Sequence, residues 1–387
     1  MIYPNYSGGG IANLMASLGQ ALGGVENGYP ELEGIDLSGL ATARNVLLLV
    51  IDGLGYRYLQ EQAAQSTLCQ NCVASITSVC PSTTASAIPT FLTGVPPQQH
   101  GLTGWFTYFS ELGSVLAILP FRTRLGFMPI ADADLSPGVL SGVGSFYARL
   151  PVASNIVMPD RIAHSSFNRA FCQGARIWPF SGHSDLSQTI LRVVTQTGTQ
   201  RSFVYAYWPE FDALAHEFGV GSRQAADHLL EIDHSFQRLL AELRGTDTLV
   251  LVTADHGFVD TRPETTVRLS DHPQLAETLM TPLCGEPRLA YCYVHPNRTA
   301  QFERYVAERL SRQADLFPSS QLLEEGWFGL GNPHPRLKDR IGHYALVMKD
   351  DFKITGELPG ESPLQHIGVH GGLSSEEMYV PLILVET

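Results

Sequence analysis

The chain has 387 residues, 44% of them hydrophobic, and its 38 acidic and 25 basic residues give a formal net charge of -13. This length and composition fit one large α/β domain with a substantial core, and the acidic balance excludes a nucleic-acid polymer as the expected partner. A small anionic substrate would need local positive charge, which bound metal ions could supply.

The N-terminal segment 1–20 has neither a basic region nor an apolar stretch of signal-peptide length. No apolar run approaches the roughly 20 residues of a membrane helix, so we expect a cytoplasmic protein that spans no membrane. Cys69 and Cys72 have the spacing of a redox motif or half a zinc site, but no second such pair exists in the sequence. We therefore expect all the cysteines to be reduced thiols.

Three continuous apolar runs predict buried strands: Val46–Ile51, Ser202–Trp208 and Thr248–Thr253. Continuous rather than alternating hydrophobicity is typical of parallel strands covered on both faces. Apolar residues at helical spacing lie between these runs, most clearly in Gln224–Arg244. The alternation predicts an α/β fold whose mostly parallel sheet is flanked by helices on both faces.

Residues 262–358 differ from the rest of the chain, because they are richer in Pro and Arg. The segment contains one predicted helix and two predicted strands: Thr299–Gln313, Arg288–Val294 and Tyr344–Met348. We interpret it as a small α+β cap subdomain inserted into a core formed by residues 1–261 and 359–387. The run Tyr379–Val385 is predicted to rejoin the main sheet.

Acidic and histidine residues follow each of the three predicted strands. They are Asp52, the pair Asp212 and His216, and the pair Asp255 and His256. Ligands of open α/β sheets bind at the carboxyl ends of the strands, so these side chains are expected at one edge of the sheet.

The residue types and spacings at this edge favour metal binding. Asp212 and His216 are four residues apart, on one face of a helix, whereas Asp255 and His256 need a chain turn that Gly257 can supply. His370 lies in a glycine-rich loop that could approach the same site. Each pattern alone fits an ordinary turn, helix face or loop. Together, three Asp and three His would form two three-ligand sets with open positions for substrate.

The stretch Val79–Gly94 contains five side chains that could act as a nucleophile: Cys80, Ser82, Thr83, Thr84 and Ser86. A helix is predicted to begin after Pro81 and Ser82, with Ser82 as its N-cap. A hydroxyl at the start of a helix gains from the helix dipole and from free N–H groups. The stretch by itself leaves the choice among the five open.

Five motifs resemble a known family: VLLLVIDGLG (46–55), PSTTASAIPTFLTG with QQHG (81–101), YWPEFDALAHEFG (207–219), VTADHG (252–257) and HGGLSSEEMYVPL (370–382). The sequence resembles the alkaline phosphatase superfamily and, within it, the type I phosphodiesterase and nucleotide pyrophosphatase branch. The resemblance implies an alkaline-phosphatase-like core in which residues 262–358 cover the site.

The resemblance also implies two divalent metal ions, Zn²⁺ or alternatively Mn²⁺. The first ion would be held by Asp212, His216 and His370, and the second by Asp52, Asp255 and His256 with Thr84 in contact. Thr84 aligns with the nucleophilic threonine of the branch, and Thr83 is the second choice. The implied reaction passes through a covalent phosphothreonine at Thr84.

The implied function is hydrolysis of phosphodiester or pyrophosphate bonds in small, nucleotide-like substrates. A phosphomonoesterase or a phosphonate hydrolase on the same scaffold is the alternative, and a non-catalytic binding protein belongs to a different class. A sulfatase is disfavoured because Pro81 follows Cys80 directly and no Arg occupies the position that sulfatases require. The sequence does not indicate the oligomeric state.

Two departures from the branch concern substrate contacts. Trp105 stands near the place of an Asn that holds a phosphate oxygen, and Ala85–Ala87 replaces Phe-Pro-Asn. We expect Thr103 or backbone amides to take over the role of the Asn. His100 is expected to be a structural hydrogen-bonding residue. The alcohol or nucleoside side of the substrate would be recognised by the cap and by residues near Trp105 and Tyr108.

Overall fold

The computed structural model describes residues 1–130 and 135–387. Its α-helices, numbered in chain order, are α1 (Ile11–Ala21), α2 (Gly39–Thr42), α3 (Tyr56–Gln62), α4 (Thr67–Gln70), α5 (Thr84–Thr93), α6 (Pro97–His100), α7 (Pro137–Ser141), α8 (Asp160–Ala163), α9 (Ser166–Phe171), α10 (His183–Gln196), α11 (Glu210–Phe218), α12 (Arg223–Leu243), α13 (Pro273–Ala276), α14 (Thr299–Arg309), α15 (Ser319–Glu324), α16 (Leu337–Arg340) and α17 (Ser375–Met378).

The strands, numbered in the same way, are β1 (Asn45–Ile51), β2 (Cys72–Thr77), β3 (Phe106–Phe109), β4 (Ser114–Ala117), β5 (Arg122–Thr123), β6 (Ala153–Pro159), β7 (Ala175–Phe180), β8 (Ser202–Trp208), β9 (Thr248–Thr253), β10 (Val259–Asp260), β11 (Thr266–Arg268), β12 (Cys284–Gly285), β13 (Leu289–Cys292), β14 (Ala314–Pro318), β15 (Tyr344–Met348), β16 (Lys353–Thr355), β17 (Gly368–Val369) and β18 (Tyr379–Glu386).

A seven-stranded central sheet has the strand order β2-β18-β9-β1-β8-β6-β7. Strands β9, β1, β8, β6 and β7 run parallel, whereas β18 pairs antiparallel with both β9 and β2. Every residue of β1, β8 and β9 is buried, as expected for strands covered on both faces. The predicted α/β fold with a mostly parallel sheet flanked by helices is confirmed.

A second seven-stranded sheet has the order β14-β15-β13-β12-β3-β4-β5, and its neighbouring strands pair antiparallel. Strands β12 to β15 come from the predicted cap segment 262–358. Strands β3 to β5 come from the region between Phe106 and Thr123, which the sequence analysis placed in the core. The division of the chain into core and cap remains a prediction.

The register of the central sheet brings the ends of three strands to one level. Ile51 at the end of β1 lies opposite Trp208 at the end of β8, and Val50 lies opposite Thr253 at the end of β9. The residues that follow these strands therefore leave the same edge of the sheet side by side.

The structure also provides information on possible membrane helices and on the state of the cysteines. Across 1–130 and 135–387, no helix combines the length and the hydropathy needed to cross a membrane. All six cysteines are free, and Cys69 and Cys72 are half-buried. Cys80 is fully buried in the apolar cluster beside the second sheet.

Candidate active site

Asp212, His216 and His370 form the first of two groups of metal-ligand types. Asp212 and His216 project from α11, and the Oδ1 of Asp212 lies 3.4 Å from the Nε2 of His216. The Nε2 of His370 lies 3.2 Å from the Nε2 of His216 and 3.8 Å from the Oδ1 of Asp212. A tetrahedral ion with bonds of about 2.1 Å separates its ligands by about 3.4 Å, so these spacings fit one bound ion.

Asp52, Asp255 and His256 form the second group, beside the first. The Nε2 of His256 lies 3.4 Å from the Oδ1 of Asp52 and 3.4 Å from the Oδ2 of Asp255. The same Nε2 is 4.0 Å from the Oδ1 of Asp212, which shows how closely the groups adjoin. The side chains of Asp255 and His256 are fully buried behind the more accessible first group.

Backbone carbonyls orient two of the histidines. The Nδ1 of His216 lies 2.9 Å from the carbonyl oxygen of Gly368, and the Nδ1 of His256 lies 3.1 Å from that of Gly257. A carbonyl oxygen can only accept, so each Nδ1 carries the proton and donates. Both Nε2 atoms are thereby left with a lone pair directed at the site, which is the usual arrangement for metal-binding histidine.

Unpartnered buried atoms at the centre of the site also fit bound cations. Among the described residues, the Oδ1 of Asp212 and the Oδ2 of Asp255 are buried without a hydrogen-bond donor. Burial, together with the charges of Asp255 and Asp212, raises the pKa of Asp52 well above its ordinary value. Burial likewise raises the pKa of Asp212 to about 7. Divalent ions would satisfy these oxygens and neutralise the three carboxylates.

Thr84 is the first residue of α5 and faces the second group. Its Oγ1 lies 3.0 Å from the Nε2 of His256 and 3.5 Å from the Oδ1 of Asp52. The N–H groups of Thr84 and Ala85 belong to the first helical turn, where no intrahelical acceptor exists. The start of α5 therefore combines a hydroxyl close to the second group with two backbone N–H groups that have no helical acceptor, which is an arrangement suited to binding an anion.

The N-cap prediction for α5 was wrong by one residue. Thr83, in extended conformation, precedes the helix, and its side chain makes no capping hydrogen bond. Its hydroxyl instead donates to Glu286, at 2.7 Å. The hydroxyl of Ser82 donates to the carbonyl oxygen of Gly372 at 2.7 Å, so Ser82 connects α5 with the loop that carries His370.

The expectation for Thr103 was also wrong, because its buried hydroxyl donates to the carbonyl oxygen of Arg340 at 3.2 Å. His100 is fully buried, and its Nδ1 accepts from the N–H of Leu102 at 3.1 Å. The Nε2 of His100 lies 3.3 Å from the hydroxyl of Thr90. His100 is therefore a structural residue that connects α5 with the backbone at Leu102. Thr103 is therefore not positioned to replace the missing Asn.

Two residues that contact the site, Tyr207 and Glu286, were not predicted from the sequence. The hydroxyl of Tyr207 donates to the Oδ2 of Asp52 through a short hydrogen bond. Glu286, on the second sheet, faces the start of α5 and is nearly fully buried. Tyr207 lies in an apolar run that indicated only a strand, and nothing in the sequence near Glu286 indicated a contact with Thr83.

A buried ion pair supports the loop of His370 from behind. Arg288 and Glu377 are 1% and 0% exposed, and the Nη2 of Arg288 lies 3.0 Å from the Oε2 of Glu377. Burial acts to raise the pKa of Glu377, but the charge and hydrogen bond of Arg288, together with hydrogen bonds from Gly372 and Ser374, lower the pKa of this carboxyl below its ordinary value. The Oε1 of Glu377 also accepts from the N–H of Gly372 at 2.8 Å. The pair thus ties the second sheet to the loop of His370.

Breaking this pair should destabilise the whole protein. We expect Arg288→Met to lower the free energy of unfolding by about 3–5 kcal/mol, because Glu377 would remain as an uncompensated buried charge. Urea denaturation of the metal-loaded protein measures the change. Arg223→Met, which removes an exposed ion pair with Asp227, is the matched control and should change stability little. Equal effects of the two substitutions would contradict the assigned role.

The site opens into a cavity of about 1100 Å³ between the two sheets. Its lining includes five residues of the candidate site: Asp52, Thr84, Asp212, His216 and His370. The remaining wall is largely apolar and includes Ile88, Leu92, Leu119, Met158, Ile162 and Phe167. The volume is slightly above the range of about 300–1,000 Å³ that is usual for small-molecule sites, so a substrate of nucleotide size fits.

The sequence model of one protein family, described as type I phosphodiesterase / nucleotide pyrophosphatase, matches residues 46–373. The chain belongs to this family. It is therefore a metal-dependent hydrolase of the phosphodiesterase and nucleotide pyrophosphatase type, and the resemblance stated from its motifs is confirmed. A search of curated proteins found no match.

Several solved structures share the fold. Murine ectonucleotide pyrophosphatase / phosphodiesterase 5 is 17% identical, with a TM-score of 0.64 over 87% of each chain. The human protein of the same name is 15% identical, with a TM-score of 0.64 over 88% of this chain and 87% of that one. Phosphonoacetate hydrolase from Sinorhizobium meliloti 1021 is 17% identical, with a TM-score of 0.63 over 88% and 90%.

Proposed function

We propose that this phosphodiesterase family member hydrolyses phosphodiester or pyrophosphate bonds of small, nucleotide-like substrates, with Thr84 as the nucleophile. The observation that carries the proposal is the position of the Thr84 hydroxyl, 3.0 Å from His256 and at the free N-terminus of α5. An inactive variant of the murine protein was solved in complex with AMP, which supports a nucleotide-like ligand.

The two ligand groups would hold two divalent ions, in our proposal Zn²⁺. Asp212, His216 and His370 would hold the first, and Asp52, Asp255 and His256, with Thr84, the second. Ions bound there would act as Lewis acids toward the phosphoryl and leaving-group oxygens and would lower the pKa of the attacking hydroxyl. Tyr207 would fix the carboxylate of Asp52 through their hydrogen bond.

The residues of the chain would perform the reaction in two displacements. The Oγ1 of Thr84 gives up its proton and forms a bond to phosphorus, and the bond to the leaving alcohol or phosphate breaks. The leaving oxygen takes up a proton, and a phosphorylated or nucleotidylated Thr84 results. The N–H groups of Thr84 and Ala85 donate to the phosphoryl oxygens as charge develops. Water then attacks phosphorus from the opposite side and releases Thr84 with its hydroxyl restored.

The second sheet would act as the cap in this proposal. Trp105, which directly precedes β3, and Phe106, in β3, line the same cavity as the candidate metal ligands. The cap, including the predicted segment 262–358, would therefore contact the part of the substrate that leaves. Trp105, 37% exposed, presents an aromatic surface for this contact.

The test is hydrolysis of bis-p-nitrophenyl phosphate by protein supplied with Zn²⁺ or Mn²⁺. We expect turnover of this diester to exceed that of p-nitrophenyl phosphate and that of phosphonoacetate. The monoester tests the phosphomonoesterase alternative. Phosphonoacetate tests the phosphonate hydrolase alternative and is chosen because the Sinorhizobium protein with a similar fold is a phosphonoacetate hydrolase. If the diester stays intact while either alternative is cleaved, the proposed function is wrong.

A further inference from the structure

Glu286 lies at the tip of the hairpin that joins β12 and β13. The N–H of Glu286 donates to the carbonyl oxygen of Leu289 at 2.9 Å, and the N–H of Leu289 donates back to that of Glu286 at 3.2 Å. This tight closure fixes the backbone of Glu286. The side chain is 7% exposed and lines the active-site cavity.

Two donors fix the carboxylate of Glu286 beside the nucleophile. Its Oε1 accepts from the hydroxyl of Thr83 at 2.7 Å and from the N–H of Trp105 at 2.6 Å. Its Oε2 has no hydrogen-bond donor within residues 1–130 and 135–387. Glu286 lines the same cavity as Thr84 and Asp212, so its carboxylate faces the space in which a phosphoryl group would bind.

The loop of His370 encloses Glu286 from the other side. Gly371 has a φ of +109°, and a Cβ built on it would lie 2.5 Å from the Cβ of Glu286. Only glycine therefore admits the side chain of Glu286 at this position. Glu286 is thus held between Thr83, at the start of α5, and Gly371, in the loop of His370.

No cation balances the charge of Glu286. It forms no ion pair with any described residue, and Arg288, on the same hairpin, pairs with Glu377 instead. Burial, opposed by the hydrogen bonds from Thr83 and Trp105 and assisted by the charge of Asp212, raises the pKa of Glu286 to about 7. At alkaline pH Glu286 therefore carries a negative charge with which no cationic side chain of the described residues forms an ion pair.

We propose that Glu286 determines specificity by disfavouring phosphate monoesters relative to diesters. A bound diester carries one negative charge at phosphorus, whereas a monoester carries close to two at neutral and alkaline pH, because its second pKa is about 6. The second charge would face the uncompensated carboxylate of Glu286. This inference rests on the proposed function, since it assumes that phosphorus binds between Thr84 and the metal ligands.

The test compares two esters with the same leaving group, bis-p-nitrophenyl phosphate and p-nitrophenyl phosphate, at a pH of about 9, where Glu286 is ionised. Glu286→Gln keeps an oxygen that accepts from Thr83 and Trp105 but removes the charge. We expect the ratio of kcat/KM for the diester to that for the monoester to fall about tenfold, mainly through faster monoester cleavage.

Two further variants separate charge from geometry. Glu286→Ala also removes the charge, without keeping the hydrogen bonds, and should lower the ratio as well. Thr83→Val removes one of these hydrogen bonds and keeps the charge, so both activities should fall together and the ratio should stay constant. Metal content is measured for every variant, so that loss of an ion is not mistaken for a change in specificity.

The outcomes distinguish this inference from the proposed function. An unchanged ratio in both Glu286→Gln and Glu286→Ala, with active wild-type protein, overturns the inference and leaves the function in place. A ratio that falls as far in Thr83→Val as in Glu286→Gln overturns it too, because geometry would then be the cause. If wild-type protein cleaves neither ester, the proposed function fails and the inference fails with it.

Discussion

Replacing Thr84 with alanine is expected to lower kcat for bis-p-nitrophenyl phosphate by at least about 10⁴-fold, with the fold and the bound metal retained. The substitution removes the attacking oxygen, whereas Asp52, Asp255 and His256 remain to hold the second ion. Steady-state kinetics and metal analysis of the same preparation measure both effects. The helix should tolerate alanine because Thr84 is its first residue and the preceding Thr83 makes no side-chain cap.

Thr83→Val and Thr84→Ser are the controls for this assignment. Thr83→Val removes the other hydroxyl at the start of α5 and should reduce turnover only through the lost hydrogen bond to Glu286. Thr84→Ser keeps a nucleophilic oxygen and should retain measurable activity with covalent phosphorylation at residue 84. Near-normal turnover by Thr84→Ala, together with inactive Thr83→Val, would transfer the role to Thr83.

Removing the metal ions is expected to lower Tm, and to lower it more at pH about 8 than at pH about 5. Without cations, the pKa of Asp212 in the folded protein is about 7 and that of Asp52 is also raised. An unfolded aspartate has a pKa of about 3.9. Between these values the folded state holds protons that the unfolded state has lost, so the free energy of unfolding falls as pH rises, by up to about 1.4 kcal/mol per pH unit for each group.

Thermal denaturation with and without a chelator, over a pH series, measures this effect. The metal-loaded protein should show a weaker loss of stability over the same range, because bound cations keep the carboxylates ionised at every pH tested. Metal-free Asp212→Asn is the control, and at pH about 8 it should be more stable than metal-free wild-type protein. Equal Tm values with and without chelator at that pH would show that these carboxylates hold no stabilising ion.

The sequence was most informative where local pattern and topology agree. The runs that became β1, β8 and β9 are apolar throughout, so their burial and parallel pairing follow from hydrophobicity alone. Asp52 and Asp255 were expected at one edge because strands of this kind share a direction. Their placement within a few ångströms of His256 needed the actual register of the sheet, which pairs Val50 with Thr253.

Contacts between distant segments could not be predicted. Glu286 meets Thr83 across 203 positions of sequence, and no periodicity connects the two residues. Ser82 is a residue type that often serves as an N-cap, but its hydroxyl donates a hydrogen bond to the carbonyl oxygen of Gly372, which is distant in the sequence. Thr103 was misassigned for the same reason, because the hydroxyl of Thr103 donates to the carbonyl oxygen of Arg340, in α16, which is also distant in the sequence. These hydrogen-bond partners are brought together by packing between distant segments, which the sequence pattern does not reveal.

The position of β18 in the central sheet affects when that sheet can form during protein synthesis. This strand lies inside the central sheet, between β9 and β2, although it comes from residues 379–386. A nascent chain that has not yet reached residue 370 lacks His370 of the first candidate ligand group. Without β18, β2 has no neighbouring strand in the central sheet and β9 is paired only with β1. The central sheet and the first candidate ligand group are therefore complete only after residues 370–386 have been synthesised.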